Sequence, residues 1–337
     1  MKFFHPTLWL GACALTLTLA GAAAPAQTPA ASQTQWTPTR SIDFSSRHDV
    51  MIRSEDGTLT PMDVPYYKSK LIAPGTWLIE SDGDYSYLIE GDNEALAIDT
   101  GYGAGNIREY LQGLTKKPVR YVANTHDHFD HTANNSYFDK AFMSVQTAEK
   151  TTIPYRSFAG IEFPRDYPKE IIGDGYKFQL GNRDVEVFLI PNHTAGGTAF
   201  LDKRERILFS GDEIFQGNIT INAAGSVAQF ARNMQKLATR RGEYDRLATG
   251  GFGVIDATWV DKFLANAKHI IAGNEGEPVT PQQRAGTSSE SGAPVIYRRR
   301  FPRPGDGGAG QAVSNPNLRK MTYEGCGITY DIRHIQN

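Results

Sequence analysis

The chain has 337 residues, 40% of them hydrophobic and 21% charged, which is enough apolar material for a sizeable core and excludes wholesale disorder. Lysine and arginine number 35 against 37 aspartates and glutamates, so no general basic field exists to hold nucleic acid by counterion release, and no nucleic-acid partner is expected. Two cysteines exclude a disulfide framework and a zinc site built from four thiolates.

The N-terminus reads as a secretory signal peptide over residues 1–26. Lys2 supplies the positive start, Leu8 to Ala24 the uncharged apolar run, and Ala24-Pro25-Ala26 the small-x-small cleavage site before Gln27. The run is short for a membrane span and ends without a charge cluster, so no stable anchor is expected. Cys13 in Leu10-Gly11-Ala12-Cys13 lies inside the apolar run, which argues against a lipoprotein box. The expected location is periplasmic or secreted. The mature chain would hold one thiol, Cys326, read as a buried small residue between two glycines.

Residues 27–40 are rich in Thr, Ala, Gln, Ser and Pro and read as a flexible leader to a main domain over 41–274. Thr76 to Ile79 and Tyr85 to Ile89 read as strands joined by a hairpin at Ser81-Asp82-Gly83-Asp84. Ala95 to Ile98 is a strand running into Asp99-Thr100-Gly101. Ile107, Tyr110, Leu111 and Leu114 fall on one helical face. Further strands are predicted at Val119 to Ala123, Val185 to Ile190, Thr198 to Asp202 and Ile207 to Ser210. Ser226 to Gln229 has the capping-box pattern ahead of a helix with Val227, Phe230, Met234 and Leu237 on one face. A second helix runs from Trp259 to Ile271 and stops at Gly273. Residues 275–337 read as a Pro/Gly-rich linker and a C-terminal extension in which Lys320 to Ile335 adds one strand. Strands dominate both halves and each half carries helices, so an α+β fold of four layers, αββα, is expected.

The chemistry gathers behind the strand Val119 to Ala123. The segment His126-Asp127-His128-Phe129-Asp130-His131 holds three of the chain's eight histidines. A lone histidine is more often a core or surface residue than a ligand, but three in the form H-x-H-x-D-H past a strand end reverse those odds. Zinc takes imidazole nitrogen and carboxylate oxygen, and an extended stretch puts His126 and His128 on one side. His193 follows the strand Val185 to Ile190, and Asp212 follows Ile207 to Ser210. Each alone reads equally well as a turn histidine or a helix-capping aspartate.

Taken in order, Asp99-Thr100-Gly101, His126-x-His128-x-Asp130-His131, His193-Thr194 and Gly211-Asp212 resemble the metallo-β-lactamase superfamily from Gly75 to Gly273. The resemblance implies the αββα fold around a metal cleft. It implies a first zinc on His126, His128 and His193, a second on Asp130 and His131, and Asp212 bridging the two. An aspartate at the bridge is similar to the glyoxalase-II-like and lactonase-like branches; true class B β-lactamases usually have Cys or Ser there. The family also ends its site with a Gly-His-Gly turn. The matching stretch here is Gly250-Gly251-Phe252-Gly253, with Phe252 in the histidine's place, so the second zinc is expected to be the weaker, with His269 and His334 the candidate substitutes.

The activity this implies is that of a zinc-dependent hydrolase for a small-molecule ester, lactone, thioester or lactam. Zinc on three imidazoles lowers the pKa of bound water toward about 7, and Asp130 is the residue expected to orient that water and take its proton. The alternatives are a phosphodiesterase or nuclease of the same fold, and a metal-binding member without turnover. Two other signals are discounted. Gly305 to Gly310 matches G-x-G-x-x-G without a strand before it or a helix after it, and Arg298-Arg299-Arg300 with Arg303 reads as a solvated run.

Overall fold

The computed structural model describes residues 50–53, 59–61, 67–81, 84–101, 105–153, 163–222, 224–279, 295–298 and 315–336. The signal segment and leader, the Asp82-Gly83 turn, Arg299 to Arg303 and Gly305 to Gly310 lie outside the described residues.

After β1 (Val50–Arg53) and β2 (Leu59–Pro61), the chain forms an antiparallel meander of β3 (Lys68–Ala73), β4 (Thr76–Ser81), β5 (Asp84–Glu90) and β6 (Ala95–Ile98). Helix α1 (Ile107–Leu114) then leads to β7 (Val119–Ala123), α2 (Phe129–Thr132) to β8 (Lys140–Met143), and α3 (Val145–Lys150) to β9 (Lys169–Ile171). Strands β7, β8 and β9 add in parallel, giving a seven-stranded sheet in the order β3 to β9. The second sheet has six strands. These are β10 (Lys177–Gln179), β11 (Asp184–Leu189), β12 (Thr198–Asp202), β13 (Ile207–Gly211), β15 (Arg246–Thr249) and β16 (Val254–Asp256). Between β13 and β15 the chain passes through β14 (Asn218–Thr220) and α4 (Val227–Ala238), and after β16 comes α5 (Thr258–Ile271). The last strands are β17 (Glu277–Pro278), β18 (Val295–Arg298), β19 (Leu318–Tyr323) and β20 (Cys326–Asp331).

The two-residue period of the strands sorts side chains into layers. Tyr87, Ile89, Leu96, Ile98 and Phe142 of the first sheet meet Val185, Val187, Phe200, Ile207 and Phe209 of the second. Their neighbours face the other way: Leu88, Ala97 and Val122 pack under Ile107 and Leu111 of α1. Ala199, Leu201 and Leu208 pack under α4 and α5 through Phe230, Met234, Phe263 and Ala267. The four-layer αββα order follows from this alternation. Fully buried Arg183 crosses between the sheets, donating to the carbonyls of Gly75 and Glu90 at 2.9 Å and pairing with Asp202.

Local signals account for the helices. The Asn106 side chain caps α1 by accepting from Glu109 N, and Ser226 caps α4 by accepting from Gln229 N. Helix α5 ends at Gly273, whose φ of 99° suits glycine. The C-terminal stretch holds two strands where the sequence leads one to expect a single one. Strands β19 and β20 turn at Glu324 and Gly325, both at positive φ, the type I′ hairpin geometry. With β14 and β17 they make a four-stranded sheet, and Met321, Cys326, Ile328 and Tyr330 belong to the α4–α5 core. Residues 315–336 are thus packed into the second half rather than appended to it, and Cys326 is the buried small residue expected. No helix among the described residues is long and apolar enough to cross a membrane.

Candidate metal centre

The loops after β6, β7, β11, β13 and β15 bring their side chains to one place. His126 and His128 come from the end of β7, Asp130 and His131 from α2, His193 from the loop after β11, and Asp212 from the residue after β13. His126, His128 and His193 each place a ring nitrogen within 4.8 Å of the others. The His193 Nε2 and His128 Nδ1 atoms are 3.0 Å apart. Asp212 lies between His126 and His193 on one side and His131 on the other. Its Oδ2 is 4.0 Å from His126 Nε2 and 3.9 Å from His193 Nε2, while its Oδ1 is 3.5 Å from His131 Nε2.

The imidazoles are aimed from behind. Asp99, at the end of β6 with φ 58°, accepts from Thr125 N at 2.8 Å and Thr125 Oγ1 at 2.6 Å, and faces His131 Nδ1 at 3.0 Å. The spent Thr125 hydroxyl leaves a lone pair for His126 Nδ1, 3.0 Å away. Both rings therefore carry their proton on Nδ1 and present Nε2 to the centre. The His193 loop is pinned by Glu213. Its Oε2 accepts from Asn192 N and His193 N at 2.7 Å each, and its Oε1 accepts from Thr194 N at 3.1 Å and from the Thr194 hydroxyl. Burial pushes the Glu213 carboxyl up to about 8, against the pull of those donors.

Electrostatics divides the imidazoles. Burial, reinforced by neighbouring imidazoles, holds His126 well below the usual histidine range, and burial brings His193 down to about 4, so both are neutral donors at pH 7. Burial also opposes a charge on His131, but Asp212, Asp130 and Asp99 outweigh it and raise this imidazole well above its usual value. The three carboxylates make that corner a seat for positive charge, either a proton or a cation. His126 Nε2, His131 Nε2 and Asp212 Oδ1 are buried with no hydrogen-bond partner. Leaving such atoms unmatched costs about 1–3 kcal/mol each, and imidazole and carboxylate donors at this spacing fit zinc.

The six motif residues thus converge, but the substitutes for the missing imidazole do not. Phe252 is 53% exposed, with its ring 5.4 Å from Phe215, which in turn sits 6.2 Å from His193. The turn residue that faces the second group is Gly250: a Cβ there would collide with Asp212 Oδ1 and lie 2.7 Å from His131 Cε1. The placing of Phe252 as the lost ligand is corrected accordingly. His269 stacks on Tyr323 with centroids 4.2 Å apart, and His334 offers its carbonyl to Val227 N; neither is in a metal-capable group among the described residues. Sequence reasoning missed Glu213 and gave Asp99 no task. It also passed over Asp84, which groups with Asp130 and His131.

A family model of the metallo-beta-lactamase superfamily matches residues 82–305, and the chain belongs to that superfamily. An acyl-coenzyme A thioesterase from Gallus gallus is 26% identical over 212 residues, covering 53% of this chain and 76% of that protein. A hydroxyacylglutathione hydrolase from Pelagibacter ubique is 27% identical over 159 residues, covering 46% of this chain and 61% of that protein. Among solved structures, a metallo-beta-lactamase from Pontibacter korlensis aligns at 18% identity with a TM-score of 0.48, covering 60% of this chain and 99% of that one. By family and relatives the chain is a metal-dependent hydrolase.

Proposed function

We propose that this chain is an exported zinc hydrolase that cleaves a small acyl ester, with a thioester the first class to test. The observation that carries it is Asp212, whose Oδ2 faces His126 and His193 while its Oδ1 faces His131, with the Nε2 atoms of His126 and His131 buried and unmatched. His126, His128 and His193 would hold a first zinc, Asp130 and His131 a second, with Asp212 between them. When bound, the metal lowers the pKa of water and polarises the attacked carbonyl oxygen. The protein does the rest. Asp130 orients the attacking water and takes its proton as the new C–O bond forms. Asp99 and Thr125 keep the rings in the required tautomer, and Glu213 keeps His193 in place. The C–S bond then breaks and the leaving sulfur takes the proton from Asp130, giving a carboxylic acid and a thiol and returning Asp130 to its starting state. The names of the two curated relatives favour a thioester over a lactone or lactam.

A panel of an acyl thioester, a lactone, nitrocefin and bis-p-nitrophenyl phosphate, with and without chelator, tests the reading. The thioester should turn over fastest, chelator should stop it, and His126→Ala should abolish both turnover and tight zinc uptake. Chelator-resistant turnover would overturn the reading, and preference for the phosphodiester would replace the substrate class. Export rests on the apolar run and the Ala24-Pro25-Ala26 site. Mass spectrometry of periplasmic or secreted protein should find Gln27 at the N-terminus; an intact Met1 or a lipid on Cys13 defeats it.

A further inference from the structure

The H-x-H-x-D-H segment supplies the second group with Asp130 and His131, and Asp212 offers it one oxygen. The turn at 250–253 contributes no ligand, since Gly250 occupies the position facing the group. That turn is stitched to the start of β5: Tyr85 N donates to the carbonyl of Gly250 at 2.8 Å. The stitch carries the preceding residue, Asp84, to the same corner. Asp84 is only 5% exposed, and a carboxylate oxygen of Asp84, one of Asp130 and a ring nitrogen of His131 lie within 4.8 Å of one another. His131 Nδ1 is engaged by Asp99, so the nitrogen open to the group is Nε2, which is buried and has no hydrogen-bond partner.

Two buried carboxylates so close together repel each other unless a positive charge lies between them. A divalent cation offers two charges and bonds to all the donors at once. We propose that Asp84 is a ligand of the second metal ion, a carboxylate that takes up the coordination position the glycine turn leaves open. The second site is then Asp84, Asp130, His131 and one oxygen of Asp212, a four-donor set. It is richer in oxygen than the histidine site beside it, and so better suited to the harder divalent ions. The inference rests on the metal reading above and goes past it by naming a donor outside the motif.

The test is metal uptake by the full mature chain, stripped and titrated with cobalt(II), followed by visible absorption and by zinc competition. The unaltered protein should take up two equivalents. Asp84→Asn should weaken the second about tenfold or more, as loss of one ligand does, and leave the first unchanged. Two equivalents of unchanged affinity in Asp84→Asn would overturn the role of Asp84 and leave the metal reading standing. One equivalent in the unaltered protein would also overturn it, and none would sink the metal reading as well. A crystal of the unaltered protein grown with zinc decides the matter without any variant. Anomalous scattering should place the second ion about 2.0–2.2 Å from an Asp84 oxygen, and a second ion out of its reach overturns the proposal.

Discussion

Replacing Glu213 should loosen His193 before it disturbs anything else at the centre. Its two side-chain oxygens are the acceptors for three consecutive backbone N–H groups, those of Asn192, His193 and Thr194, and for the Thr194 hydroxyl. In Glu213→Ala the hydroxyl can turn to another acceptor, but the amides cannot. Each buried donor without a partner costs about 1–3 kcal/mol, so three would cost about 3–9 kcal/mol if the pocket stayed dry. Water entering the space vacated by the side chain returns part of this, and so does relief from burying a polar carboxyl group, which places the expected loss near the low end, about 3 kcal/mol. Glu213→Gln keeps the shape but turns one acceptor into an NH2 group facing an N–H, so one donor is lost, at about 1–3 kcal/mol. Urea unfolding followed by circular dichroism measures both variants. Histidine ring resonances show whether His193 moves while His126 stays, and zinc competition shows whether the first site weakens. An alanine variant within about 1 kcal/mol of the parent, with His193 resonances unshifted, would refute the pinning of the loop by Glu213.

Gly250→Ala should displace Asp212 and weaken zinc binding about tenfold or more, because the added Cβ collides with its Oδ1; unchanged affinity in a chelator competition would contradict the close approach. Phe252→His should leave the metal count unchanged, since this side chain is half exposed and rests on Phe215; a gain of one equivalent would restore the turn as a ligand source. Away from the centre, hydrogen bonds from Arg240 and then Lys203 hold the Glu243 carboxyl down to about 2 from 4.5. A depressed carboxyl contributes stability above its unfolded value and loses it as pH falls toward the folded one. Glu243→Gln should therefore cost about 0–1 kcal/mol at neutral pH, the range for a solvent-screened pair. The deficit should shrink between pH 4.5 and 2, and an equal deficit at both ends of that range would dismiss the pair.

Much of this centre could be read from the chain because H-x-H-x-D-H packs four donor side chains into a short stretch. Its loop leaves a strand whose alternation is itself readable in Val119 to Ala123. His193 and Asp212 were readable only by their order after strands. Asp99 and Glu213 were not, since an aspartate before Thr-Gly and a glutamate after Gly-Asp look like ordinary turn residues. Their work is done through backbone amides and ring nitrogens that converge only when the sheets pack. Asp84 was hidden for a related reason: Ser81-Asp82-Gly83-Asp84 is turn chemistry by composition, and nothing local says that the next residue, Tyr85, is bonded to a distant loop at Gly250. The C-terminal hairpin was half seen because Glu324 stands where Asn or Asp usually signals a type I′ turn.

Strand β20 is the last strand among the described residues, and its residues 327–329 lie parallel to 218–220 of β14. Ile328 and Tyr330 fill the cluster that α4 and α5 close over. The apolar floor of the helical layer in the second half is therefore complete only with β20 in place. The first sheet is built largely from neighbours in sequence, whereas the half that supplies His193 and Asp212 includes a loop closure spanning the distance from β14 to β20, the slow, non-local kind of contact. His193 and Asp212 thus sit on a half whose apolar core β20 completes, and a chain cut before Cys326 should keep every residue of the motif and lack part of the frame that aims them.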